Sequence, residues 1–340
     1  MRPLVAGLFT ALVGLGWAQA QTTTGPTPDP AYDAYAKPQR LVKLADGRRI
    51  HVNCQGKGSP TVILTAGLGG SSVSWAKVQP ALAKRTRTCT WDRAGFGHSD
   101  PSPAAQTLAA TTADLEGALA AARIKGPYLV AGHSAGAFET LLFADRHRAD
   151  VVGMVLVDGS VPNQAERFTA MSPALARASA SGLRFAVDGQ RRCATSLEAG
   201  TLKPDTPTWK LCFGYPPQFS PVYLGGMRTL DGDPARLRTR ASLSEEFAAS
   251  AAAVANPSRD YGDLPLVVLT QATGLGFPGA TAAEIDAMSG AWRQWHGDYA
   301  KLSRTAVNLI VQGAGHNIQD DKPQAVIGAI DAVLAAARQP

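Results

Sequence analysis

Cysteine is scarce in this chain, and so is charge. Four cysteines occur in 340 residues, and only 18% of the residues are Asp, Glu, Lys or Arg. The cysteines lack the spacing of a zinc site, so no metal is implied. No internal repeat and no low-complexity tract is present, which excludes repeat arrays and fibrous chains. Acidic residues are in the minority: the formal charge is +6 and the sequence pI is about 9.2. The tightest basic clusters, Arg191-Arg192 and the run from Arg236 to Arg240, accompany no nucleic-acid-binding motif. The charge balance therefore describes a mildly basic protein with no nucleic-acid partner.

What is present is a globular composition, 45% hydrophobic, on a length that fits one large domain with an insertion or two small domains. Residues 1–20 have the form of a signal peptide: a basic Arg2, an uncharged stretch from Leu4 to Trp17, and a small-x-small site at Ala18-Gln19-Ala20. The stretch is short for a bilayer span of ~20 residues. Cleavage after Ala20 is expected, with no lasting membrane insertion. Removal of Arg2 leaves 32 basic against 27 acidic residues and a charge of +5. Secretion or a periplasmic location follows. In an oxidising compartment Cys54, Cys89, Cys193 and Cys212 suggest two disulfides, with three possible pairings.

Residues 21–38, rich in Thr, Pro, Ala and Asp, look like a flexible leader that packs little. From Leu41, two short β-like runs flank Asp46-Gly47, a hairpin signal. Apolar strands then alternate with helices. TVILT from Thr61 is followed by a helix over 74–84, and TCTW from Thr88 by a helix over 107–123. PYLVAGH from Pro127 is followed by a helix over 137–148, and VVGMVLV runs from Val151. Continuous apolar strands separated by helices mark a parallel sheet covered on both faces. The alternation stops over 161–262 and resumes at DLPLVVLTQ from Asp263. A helix over 282–302, a strand from Ala306 and a closing helix over 322–338 follow. The chain thus divides into an α/β core, 39–160 and 263–340, interrupted by an insertion.

Gly132-His133-Ser134-Ala135-Gly136 is G-x-S-x-G between an apolar strand and a helix, the context that gives the motif meaning. Glycines at both flanks let strand and helix pack closely, and Ser134 is presented at the carboxyl edge of the sheet as a nucleophile. A serine hydroxyl needs a base. His316, in Gly313-Ala314-Gly315-His316 after the last strand, has the right order and location. His51, His98, His147 and His296 are weaker candidates, and the side chain of His133 is expected to point away from the serine. The acid has to orient the imidazole. The loop after Thr270 has no carboxylate before Glu284, whereas Asp158 ends the strand that follows the nucleophile helix. Asp158 is the expected acid, with Glu284 or Asp286 behind it. The oxyanion donors are expected to be the N–H of Ala135 and that of Leu68, in the loop Gly67-Leu68-Gly69-Gly70, where glycine permits close backbone approach.

With Trp91-Asp92-Arg93-Ala94-Gly95-Phe96-Gly97-His98-Ser99-Asp100 added to these motifs, the chain resembles the α/β-hydrolase fold superfamily. Within it, the chain is similar to exported bacterial serine hydrolases and esterases. The resemblance covers residues ~41–160 and ~263–338. It implies an eight-stranded, mostly parallel sheet with helices on both faces and a helical cap, 161–262, inserted after the sixth strand. An acid at the end of that strand is an accepted variant. One departure is Ala66, where such proteins usually carry a histidine that supports the oxyanion loop. Asp92 and Arg93 are expected to anchor a turn or form a buried ion pair. The implied sheet order places the strand of Cys54 beside that of Cys89, which leaves Cys193 with Cys212. Trp209, Phe213, Tyr215, Pro216, Pro217, Phe219 and Tyr223 supply either a small core for the insertion or an apolar pocket.

The expected activity is cleavage of a carboxylic ester through an acyl-enzyme, without metal or cofactor. An aminopeptidase, with Glu245-Glu246 holding the substrate amine, and a lactonase or C–C bond hydrolase use the same triad. A non-catalytic binding protein on this fold is the rival from another class.

Overall fold

The computed structural model describes residues 27–215, 217–274 and 280–338. The expected signal peptide, the first part of the leader and Pro216 lie outside the described residues. In chain order the elements are β1 (Arg40–Lys43), β2 (Arg49–Gln55), β3 (Thr61–Thr65), α1 (Gln79–Leu82), β4 (Thr88–Trp91), α2 (Leu108–Ala122), β5 (Tyr128–His133), α3 (Gly136–Arg146) and β6 (Val151–Val157). Six helices follow: α4 (Gln164–Met171), α5 (Pro173–Glu198), α6 (Pro207–Cys212), α7 (Pro221–Asp231), α8 (Pro234–Glu245) and α9 (Phe247–Ala253). The core resumes with β7 (Leu266–Gln271), α10 (Ala282–Ala300), β8 (Val307–Val311), α11 (Ile318–Asp321) and α12 (Pro323–Ala336).

The eight strands form one sheet in the order β1-β2-β4-β3-β5-β6-β7-β8. Only β1–β2 and β2–β4 run antiparallel. Strand alternation explains why the central strands are apolar throughout. Ile63, Val130, Met154, Leu156 and Val268 face one core, shared with Leu115 of α2, Phe138 of α3 and Trp292 of α10. Their neighbours Val62, Leu64, Leu129, Ala131, Val155, Val157 and Leu269 face the other, against Trp75, Leu82 and the Val326, Ile330 and Val333 stripe of α12. Both faces are thereby covered, the architecture the resemblance implies. Thr107 caps α2 by accepting the N–H of Ala110, and Thr281 with Glu284 forms a reciprocal capping box at the start of α10.

Two disulfides are present. Cys54 of β2 and Cys89 of β4 sit opposite each other in the antiparallel register, with Cα atoms 4.0 Å apart. Cys193 of α5 is joined to Cys212 of α6.

Two expectations need correction. The helix expected over 74–84 is broken into a 3-10 turn, Ser72–Trp75, and the four-residue α1. The leader does not lack packing over its described part: Pro30–Tyr35 forms a 3-10 helix in which Tyr32 and Tyr35 are buried. In a 3-10 turn residues three apart lie on one side, so the two tyrosines share a face. Tyr32 meets Phe219 edge-on at 4.9 Å, and the Tyr35 hydroxyl donates to Gln79 Oε1 at 2.7 Å. The backbone is held too, by the Asp29 N–H donating to the Gln218 carbonyl.

Candidate active site

β5 lies between β3 and β6, in the middle of the sheet, and its carboxyl end turns sharply into α3. Ser134 occupies that turn at φ +52°, a left-handed conformation costly for a serine. The flanking glycines are dictated by contact. A Cβ on Gly132 would come within 2.2 Å of the Gly136 carbonyl oxygen, and one on Gly136 within 2.5 Å of that of Thr65. The turn is fixed in turn by Ser134 N–H donating to the Val157 carbonyl and by Ser160 N–H donating to that of Ser134.

The loop after β8 carries His316 to this turn. Its Nε2 lies 3.0 Å from Ser134 Oγ, and its Nδ1 lies 2.6 Å from Asp158 Oδ2. Asp158 follows β6 and is fully buried. Its Oδ1 accepts the backbone N–H of Gln271 and the indole N–H of Trp292, both at 3.0 Å. Burial pushes the carboxyl up. The hydrogen bond from His316, the nearby His296 and the Gln271 N–H outweigh it and hold Asp158 below the usual carboxylate range. Neither alternative acid reaches His316. Glu284 spends its carboxylate on Thr281 and Ser172 as a helix cap, and Asp286 is exposed on α10.

His133, next to the serine, supports His316 through its backbone. Its Nε2 donates to the His316 carbonyl at 2.9 Å, and the two rings sit 4.7 Å apart. A Cβ on Gly67 would approach His133 Nδ1 to 2.9 Å, so the ring also floors the glycine loop. Burial, reinforced by His316, lowers its pKa to about 3. The unfolded chain takes a proton at His133 near 6.5, the folded protein only near 3, so acid favours unfolding. Stability is expected to fall by about 1 kcal/mol per unit from about pH 6 to about pH 4. Urea titrations across that range should show a shallower fall in His133→Gln than in wild type. Equal slopes would exclude His133 as the source.

Trp292 and His296 were not legible as neighbours of Asp158, because α10 meets the Asp158 turn only once the chain is folded. His296 Nε2 donates to the Gly159 carbonyl at 2.8 Å, beneath the Asp158 turn.

The loop 67–70 runs from β3 past Ser134. Gly69 is left-handed at φ +81°, and Gly70 N–H donates to the Gly67 carbonyl. Arg93 donates to the Gly67 carbonyl at 2.9 Å and to that of Ala66, just before the loop, at 2.6 Å. Arg93 is paired with Glu139 of α3, which is fully buried and also accepts the Thr111 hydroxyl. Among the described residues, neither Leu68 N–H nor Ala135 N–H has a hydrogen-bond partner. Asp92 is not the partner of Arg93. It binds His51 at 2.7 Å and the N–H groups of Ser72 and His98. Burial acts against its ionisation, but these contacts lower its pKa to about 2.

A cavity of about 400 Å³ adjoins the site. Gly69, Gly70 and Asn317 form its near side, while Phe213, Tyr215, Phe219 and Tyr223 of the inserted segment line it further out. The aromatic residues thus serve as both core and wall, since several of them also pack together. Glu245 does not line this cavity; it is paired with Arg191 on the surface. Among the described residues no helix is long and apolar enough to cross a membrane.

Residues 62–329 match the profile of a family described as Alpha/beta hydrolase family. The chain is 38% identical over 114 residues to the uncharacterized protein YqjL of Bacillus subtilis, a match covering 33% of this chain and 45% of YqjL. The chain therefore spans under half the length of that relative. A thermophilic esterase from Thermogutta terrifontis superposes with a TM-score of 0.58 at 19% identity, over 88% of this chain and 99% of the esterase. At that identity the likeness concerns the fold.

Proposed function

The chain belongs to the alpha/beta hydrolase family, and from that premise we propose that it hydrolyses carboxylic esters through an acyl-enzyme. The observation that carries the proposal is the continuous chain Ser134–His316–Asp158, with contacts of 3.0 and 2.6 Å. Ser134 Oγ attacks the ester carbonyl while His316 Nε2 takes its proton. Asp158 holds the Nδ1 proton and stabilises the imidazolium. The oxyanion is received by the unspent N–H groups of Leu68 and Ala135. His316 then returns the proton to the departing alkoxide. Water, deprotonated by the same imidazole, releases the acid and regenerates Ser134.

The helices α4–α9 act as a cap over the catalytic edge, and their aromatic residues shape the substrate cavity. The amine-holding role expected of Glu245-Glu246 has no support, since Glu245 is engaged by Arg191 away from the cavity. Two disulfides support an oxidising location, outside the cell or in the periplasm.

A fluorophosphonate probe tests the reading. Wild type is expected to label at Ser134 and lose ester hydrolysis in step, and Ser134→Ala is expected to do neither. A wild type inert to the probe, or equal labelling of the variant, would sink the hydrolase reading in favour of a binding protein.

A further inference from the structure

The cavity beside the glycine loop mixes aromatic and polar side chains, and a guanidinium stands in its wall. Arg240 of α8 donates through Nε to the Gly95 carbonyl at 2.7 Å, and its guanidinium lies over the Phe96 ring at 5.4 Å. These two contacts hold the planar group in one orientation. Its terminal nitrogens have no partner among the described residues. The other arginines of α8 are spent. Arg236 donates to the Ser99 and Gly97 carbonyls, and Arg238 is paired with Glu198. Asp231 feels Arg240 electrostatically but forms no ion pair with it. It is buried, and its carboxylate accepts the Tyr215 hydroxyl at 2.7 Å.

A half-buried guanidinium against aromatic rings loses hydration, and a ligand carboxylate in bidentate contact restores it. The volume, about 400 Å³, suits a small aromatic ligand. Charge also sets the orientation. Asp320 enters the same wall from α11, four residues after His316, with Lys77 acting on it. A carboxylate placed there would meet Asp320, so it is directed to the Arg240 end. The neutral ester then lies toward Gly69 and Gly70.

Resting on the hydrolase reading above, we propose that the substrate is an ester whose apolar or aromatic portion ends in a carboxylate, bound by Arg240. Calorimetric binding of benzoate and of its neutral isostere benzamide tests this without catalysis. Wild type is expected to bind benzoate about tenfold or more tightly than benzamide. Arg240→Gln should abolish that preference, and Arg240→Lys should retain part of it. In hydrolysis, kcat/KM for 4-acetoxybenzoate over phenyl acetate should exceed one in wild type and fall by a similar factor in Arg240→Gln. Fluorophosphonate labelling of Ser134 reports that each variant is folded, and it judges the hydrolase reading separately. The inference is overturned if benzamide binds as well as benzoate, if neither binds, if benzylammonium binds best, or if the preference survives Arg240→Gln.

Discussion

Asp158→Asn is expected to lower kcat by about 10⁴ while leaving the protein folded. The substitution keeps size and shape, and an amide oxygen can still accept the N–H groups of Gln271 and Trp292, each 3.0 Å away. The amide nitrogen then faces His316 Nδ1, where a carboxylate oxygen lies at 2.6 Å in wild type. Nδ1 becomes the acceptor, and the imidazole proton moves to Nε2. That nitrogen points at Ser134 Oγ and can no longer take its proton. KM should change little, because Asp158 is buried behind His316 and does not touch substrate. Steady-state kinetics on a p-nitrophenyl ester, with thermal unfolding as the fold control, measure this. Glu284→Gln, which preserves a capping residue at the third position of α10, should stay within a few-fold of wild type. If the large loss appears there and not in Asp158→Asn, the acid has been misassigned.

Arg93→Met is expected to cost about 3–5 kcal/mol of stability. It leaves the Glu139 carboxylate buried with Thr111 as its remaining side-chain donor. It also removes the guanidinium from the Ala66 and Gly67 carbonyls, leaving Gly67 with the Gly70 N–H, so the loop that carries Leu68 loses its tether to Arg93. Activity should therefore fall beyond what the loss of folded protein explains. The double variant Arg93→Met with Glu139→Gln should recover part of the stability, because the uncompensated charge is gone, but not the activity. Denaturant unfolding and kcat of the folded fraction separate the two effects. A single-variant cost below about 1 kcal/mol, or a double variant no more stable than the single, would show that the pair does not clamp the loop.

These two residues mark different depths of legibility. Asp158 could be nominated from order alone, because it ends an apolar strand and no carboxylate follows Thr270 before Glu284. Its competitors were dismissed only by geometry: Glu284 turned out to cap its own helix. Arg93 was visible as a charged residue in a turn, but its partner Glu139, 46 positions away, was not. His133 was underestimated for the same kind of reason. Its role depends on the carbonyl of His316, 183 residues later. The leader has the composition of a disordered segment, yet two buried tyrosines three residues apart and a backbone bond to Gln218 dock its described part.

The amino-acid sequence by itself determined the sharp turn at Ser134 and the class of fold. A sharp strand-to-helix turn is a local object, made by five consecutive residues whose glycines are required by contacts within the motif and with the adjacent strand. Apolar strands alternating with helices leave few ways to bury both faces of a sheet. Tertiary structure alone decided which carboxylate meets His316, what tethers the glycine loop, and that Arg240 stands in the cavity wall with no carboxylate partner among the described residues. Each of these pairs groups from distant segments, and their meeting depends on strand order and on how the inserted helices settle. No local pattern encodes that, because the energy of such a contact exists only once the core has formed.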